Sequence, residues 1–322
     1  MNYKKTLLTT LLSLGLLAGS AASQADDWCA SGKPVKFAGL SWESGMLLTD
    51  IMMILFKEGY GCQTDQLVGN TIIMETALIS NDIQVFAEEW MGRSEVWKKA
   101  AAAGKVVAVG APILGAAQGW YVPRYVVEGD AKRSIQAQAP GLKTVADLAR
   151  YPEVFRDPEE PSKGRFYNCP AGWICEVDNS QMLKDYGLES TYTNFRPGTG
   201  AALDAGVLSN YKRGKPVLFY YWSPTPLMGQ IDAIRLEEKP GVDKTVTTRV
   251  GLSKDFHEQA PELVAVLEKV NVPIDLLNQN LARMSQERIE SPRLARIFLK
   301  EHPQIWHPWV SEAAAQKIDA AL

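Results

Sequence analysis

From residue 33 onward the chain alternates short β-rich runs with longer apolar segments. Residues 33–40, Lys-Pro-Val-Lys-Phe-Ala-Gly-Leu, alternate in polarity and predict a first strand. Residues 46–57 are apolar on most faces and predict a buried helix that stops at Gly59. Residues 62–68 then predict a second strand, and the β-α-β order favours parallel pairing. A helix over 70–80 leads to a third strand over 83–87. That strand runs into Glu88-Glu89-Trp90-Met91-Gly92-Arg93-Ser94, at the end of the sheet where open α/β folds bind ligands. A helix over 95–103 and strands over 105–109 and 119–122 follow.

Residues 128–139 read as a polar loop, 142–148 as a short capped helix, and the Pro/Asp/Glu-rich 151–165 as an exposed loop. Next comes Phe166-Tyr167-Asn168-Cys169-Pro170-Ala171-Gly172-Trp173-Ile174-Cys175-Glu176, with a helix expected over 178–186. A disulfide across this loop would fix the Trp173 ring and aim the N–H groups of the helix start at whatever lies beside it. Residues 191–195 are extended and 201–213 helical. Residues 216–222 are strong β formers, stopped by Ser223-Pro224-Thr225-Pro226. A strand over 245–252 and helices over 261–271, 274–284 and 291–301 complete the pattern.

Composition narrows the function classes. The 322 residues are 46% hydrophobic and 22% charged with a net charge of -3, which speaks against a nucleic-acid partner. Residues 1–25 read as a secretory signal: Lys4 and Lys5, then an apolar centre, then a small-residue cleavage region. The expected location is therefore the periplasm. In an oxidising compartment the four cysteines predict two local disulfides, Cys29–Cys62 and Cys169–Cys175. No Cys-x-x-Cys is present and His257, His302 and His307 lie late in the chain, so neither a metal site nor a cofactor is expected. The absence of a Gly-x-Ser-x-Gly elbow, His-Glu-x-x-His or a P-loop argues against an enzyme.

Nine tryptophans remain to be explained. Most tryptophans fill cores. Trp90, Trp173 and Trp222, however, each end a predicted strand or sit in a constrained loop, a location that core packing gives no reason to prefer. Aromatic faces around a desolvated cation are how a quaternary ammonium is recognised, at ~0.5–2 kcal/mol per face.

With these residues the chain resembles the periplasmic glycine-betaine-binding proteins of osmoregulatory ABC importers. The resemblance covers most of the sequence after residue 25. It is carried by Gly115-Ala116-Ala117-Gln118-Gly119, by Asn168-Cys169-Pro170-Ala171-Gly172-Trp173-Ile174-Cys175-Glu176, by the run from Tyr211 through Gly214-Lys215-Pro216-Val217 to Trp222, and by Trp309-Val310-Ser311-Glu312-Ala313. It implies an α/β, two-lobed, hinge-closing type II binding protein, each lobe a mainly parallel sheet flanked by helices. Residues 26–118 and 247–322 would form one lobe and 119–246 the other. It also implies a methylated ammonium ligand boxed by Trp90, Trp173 and Trp222, with backbone N–H groups of Ile174 and Cys175 on its carboxylate, and partners in an inner-membrane permease and its ATPase.

One departure bears on the ligand. The family carries Thr-Pro after the first tryptophan and a carboxylate-holding histidine four residues on, whereas this chain reads Trp90-Met91-Gly92-Arg93-Ser94. Arg93 or Ser94 is the expected substitute contact, while Glu88 and Glu89 add negative charge that favours a cation. Trp42, and with less weight Trp120, are candidate extra faces. Glycine betaine is the family default; choline, carnitine, a sulfonium osmolyte and trimethylamine N-oxide suit the same cage, and a ligand sensor without transport is the other functional reading.

Overall fold

The computed structural model describes residues 28–228, 230–238 and 246–322. The signal-like stretch 1–25 lies outside the described residues. Strand β1 (Val35–Gly39), helix α1 (Glu43–Ile54), strand β2 (Thr64–Val68), helix α2 (Thr71–Ile79), strand β3 (Val85–Trp90), helix α3 (Glu95–Ala102) and strand β4 (Val106–Val109) come first. The chain then crosses to β5 (Ala117–Pro123), α4 (Arg124–Glu128), β6 (Gly164–Tyr167), α5 (Ile174–Asp185), β7 (Tyr192–Phe195), α6 (Gly200–Lys212), β8 (Leu218–Ser223) and β9 (Ala233–Arg235). It returns as β10 (Thr248–Ser253), followed by helices that include Pro261–Lys269, Ile274–Glu287 and Ser291–Glu301.

Two five-stranded sheets result, ordered β2-β1-β3-β10-β4 and β7-β6-β8-β5-β9. Both are mixed rather than mainly parallel. The βα crossovers give the expected parallel pairs β1·β2, β1·β3, β6·β7 and β6·β8. The strands that enter from the other sheet, β10 and β5, pair antiparallel with both of their neighbours. Such strands arrive without a crossover helix, so nothing constrains them to run parallel.

Helix α1 is apolar on most faces, and most of it is buried. Leu47, Leu48, Ile51 and Met52 are fully enclosed, each contributing ~1.5–3 kcal/mol of transfer free energy. They join a core that includes Val85, Leu252, Phe298 and Trp306. The second core holds Trp120, Phe166, Phe219 and Tyr221. It continues through Trp173 and Trp222 to Trp42 at the start of α1 and Phe86 of β3, so aromatic rings bridge the two sheets. Both expected disulfides are formed. Cys29 and Cys62 precede the adjacent parallel strands β1 and β2, which puts them at the same sheet end.

The stretch 151–165 is not wholly exposed. Phe155 is buried, and Asp157 accepts from Arg165 at 2.6 Å with both side chains nearly closed to solvent. A hydrophobic anchor and a buried ion pair hold down a segment whose composition reads as loop.

Candidate functional site

The disulfide loop is built from its asparagine. Asn168, fully buried, accepts from Cys169 N at 2.7 Å and from Asn179 Nδ2 at 2.9 Å. Its own amide nitrogen donates to Asn194 Oδ1 at 2.9 Å and to Glu176 O at 3.2 Å. The loop is thus tied to β7 and α5 as well as closed by Cys169–Cys175. Gly172 has φ +85, and a Cβ there would sit 2.6 Å from Asn70 Nδ2, so only glycine fits between the loop and the opposite lobe.

Helix α5 begins at Ile174, four residues before the position expected from the sequence, with Trp173 as its N-cap and no side-chain cap. The Pro-Ala-Gly turn and the disulfide deliver the chain in helical register at once, and Glu176 in the first turn suits the helix dipole. The first N–H groups of the helix, those of Ile174 and Cys175, are therefore free of any capping side chain.

Four tryptophans meet at this point. Trp42 caps α1, Trp90 ends β3 and Trp222 lies near the end of β8. Trp173 packs edge-on against Trp42 at 5.7 Å from one lobe and against Trp222 at 5.5 Å from the other. They line a cavity of about 40 Å3 with Thr71, Phe86, Glu88, Glu89, Arg93, Gln118, Ile174, Cys175 and Tyr220. Trp120 is elsewhere, stacked on Phe166 at 4.1 Å with its Nε1 donating to Asn179 Oδ1 at 2.8 Å. Ser94 is also off the cavity. It caps α3 by accepting from Trp97 N and donates to Glu75 Oε2 at 2.5 Å, a structural assignment.

The acids at the pocket are unusually placed. Glu88 is fully buried, and its Oε1 accepts from Trp42 Nε1 at 3.0 Å, Ser44 Oγ at 3.0 Å and Trp90 Nε1 at 2.8 Å. Among the described residues its Oε2 has no hydrogen-bond partner, nor has Glu89 Oε2. Burial pushes the Glu88 carboxyl up to about 7 against those three donors. Burial, with Glu75 nearby, raises Glu89 well above the usual range.

Arg93 crosses the cleft. Its Nη1 donates to Asp178 Oδ2 on α5 at 2.7 Å, and the pair's side chains are 4% and 23% exposed. With the Gln118 amide oriented by its network, the Gln118 oxygen accepts from Arg93 Nε and Nη2 at 2.9 Å each while its nitrogen meets the Tyr220 hydroxyl. Every nitrogen of the guanidinium is engaged by protein.

Trp42, Trp90, Trp173, Trp222, Glu89, Arg93, Ile174 and Cys175 are thus brought together, and Ser94 and Trp120 are not. Sequence reading did not single out Gln118, Tyr220, Thr71 or Phe86. Strand periodicity could have found two of them: Tyr220 is two residues before Trp222, and Phe86 two before Glu88. Gln118 emerges only from register, since it is paired directly with Trp222 across β5 and β8.

The sequence model described as the substrate binding domain of ABC-type glycine betaine transport systems matches residues 33–301. The chain belongs to this family. Like the family's curated members it is a substrate-binding protein of the ABC-transporter type. A glycine betaine-binding periplasmic protein, OusX of Dickeya dadantii, is 25% identical over 339 residues, covering 96% of each chain. An ABC-transporter choline-binding protein solved with choline superposes with a TM-score of 0.78 at 19% identity, over 91% of this chain and 99% of that one. ProX from Borrelia burgdorferi does so with 0.76 at 20%, over 89% and 100%. The two structures show that the fold is the two-sheet binding-protein fold.

Proposed function

We propose that this family member captures a small methylated ammonium compound between its lobes and hands it to a membrane permease with its ATPase. Capture would occur in the periplasm, where the homologue from Dickeya dadantii is placed by its name. The observation that carries the reading is the convergence of Trp42, Trp90, Trp173 and Trp222 on one cavity beside buried carboxylates. A quaternary ammonium has no N–H to donate, so its recognition relies on aromatic faces and a diffuse negative field. Three or four faces at ~0.5–2 kcal/mol each supply micromolar affinity together with ordinary burial.

The cavity, at about 40 Å3, favours a ligand of few atoms, since a single water needs roughly 10–15 Å3 of such space. The lobes, taken as residues 26–118 with 247–322 and residues 119–246, would close about the crossovers near Gly119 and Val246 to Gly251. Calorimetry against glycine betaine, choline, carnitine, trimethylamine N-oxide and proline tests the reading. Saturable binding of at least one methylated compound, with proline inert, is expected; no binding by any methylated compound refutes it.

A further inference from the structure

The pocket's charges are unbalanced in a way that narrows the ligand. Its lining carries two acids, Glu88 and Glu89, the second pushed toward its neutral form by burial, and one guanidinium, Arg93. Arg93 is neutralised by Asp178 and its remaining nitrogens face Gln118. No other cation is among the described lining residues. Glu88 receives three donors on a single oxygen, an arrangement that favours the ionised form. Its other oxygen is buried with no partner among the described residues. A desolvated, half-satisfied carboxylate calls for a positive charge beside it.

The surroundings reinforce this. Acids face one another around it: Glu43 at the start of α1 acts on Glu88 and on Asp204 of α6, and Glu75 of α2 acts on Glu89. Arg93 and Tyr220 complete the titratable set at the cavity. Glu43 and Asp204 belong to opposite lobes, so closure brings like charges together across the cleft. A net cation between the lobes relieves that repulsion, and a net-neutral betaine adds a third carboxylate to it.

We propose that the pocket selects a methylated ammonium compound of net positive charge, of the choline type, over carboxylate-bearing betaines, and that Glu88 is the residue that sets this choice. The proposal rests on the cage reading above. Arg93 then acts as the clasp between lobes rather than as the substitute for the family histidine. The N–H groups of Ile174 and Cys175, free of any capping side chain, donate to a hydroxyl oxygen at the ligand's other end, which needs no formal charge.

The test is calorimetry on the purified protein with choline and glycine betaine at pH 8 and pH 6, repeated on Glu88→Gln. Choline is expected to bind at least about tenfold tighter than glycine betaine at pH 8. It is expected to weaken several-fold toward pH 6 as Glu88 takes up a proton, with glycine betaine nearly unaffected. Glu88→Gln, which keeps the side-chain shape, is expected to bring the two affinities within about threefold by weakening choline. Glycine betaine binding as tightly as choline, or an unchanged ratio in Glu88→Gln, overturns the proposal while leaving the cage intact. If Glu88→Gln does not fold, the wild-type pH profile decides, and a flat choline profile overturns it. Failure of both ligands, together with the rest of the panel, would instead sink the cage reading itself.

Discussion

Asp178→Asn is the most direct probe of how the cleft closes. Asp178 is 85 residues from Arg93, on the other lobe, and holds it at 2.7 Å with the guanidinium almost fully buried. Removing one partner of a buried pair typically costs ~3–5 kcal/mol because a charge is left uncompensated. Asp178 keeps partial contact with solvent, asparagine still offers an acceptor oxygen, and Gln118 remains on Nε and Nη2. The cost therefore falls to ~1–3 kcal/mol. In an opened cleft both side chains reach water, so nearly all of that cost is borne by the closed state. Apparent affinity should drop about 5- to 150-fold. Titration calorimetry on wild type, Asp178→Asn, Arg93→Gln and the double variant measures the coupling. The ligand-free melting temperature of Asp178→Asn should move less than the ligand-bound one. Affinity within twofold of wild type, or single effects that simply add, would refute the interlobe clasp.

Three further outcomes are expected. Trp173→Ala should weaken ligand binding at least about tenfold, because it removes one face and the edge contacts to Trp42 and Trp222. Trp306→Ala, fully buried with its Nε1 donating to Leu299 O at 2.7 Å, should instead cost ~3–5 kcal/mol of stability in a denaturation curve and leave affinity unchanged. The double variant Cys169→Ser, Cys175→Ser should bind more weakly by calorimetry through a looser Trp173; equal affinity would mean that the Asn168 network alone holds the loop. Ligand-free stability should fall as pH rises from 5.5 to 8. Burial raises the Glu88 carboxyl from 4.5 in the unfolded chain to about 7 in the fold, so its contribution is complete below 4.5 and lost as pH passes 7. Between pH 5.5 and 8 the loss amounts to ~2 kcal/mol at 1.36 kcal/mol per pKa unit. Scanning calorimetry across this range should show melting several degrees lower at pH 8, and a rise would contradict the assigned burial.

Much of the architecture was legible in the residues. Polarity alternation located most of the strands, and the βα order required parallel pairs, because local backbone propensity and burial periodicity act over a few residues. Cysteine spacing and export-like features yielded both disulfides for the same reason: each pairs positions brought together by one βα unit or one turn. The tryptophans at strand ends were visible as a class, and the Cys169–Cys175 loop carried the family likeness outright. Helix α4, strand β6 and strand β9 were not legible. They are short, and docking against longer elements stabilises them more than propensity does.

The tertiary structure alone decided which residues the tryptophans enclose. That Trp42 enters the cavity and Trp120 does not depends on how α1 and β5 are packed, a matter of distant contacts rather than local sequence. Arg93 read as a substitute anion contact until Asp178 and Gln118, one on a helix of the other lobe and one on a crossing strand, took its nitrogens. Glu88 read as one of two acids beside a box. Three donors on one oxygen and, among the described residues, none on the other, fixed by the meeting of α1 and β3, leave it a buried, half-satisfied carboxylate in the cleft. Side-chain type is written in the chain, but whether a charge is solvated, paired or stranded is set by neighbours that only folding supplies.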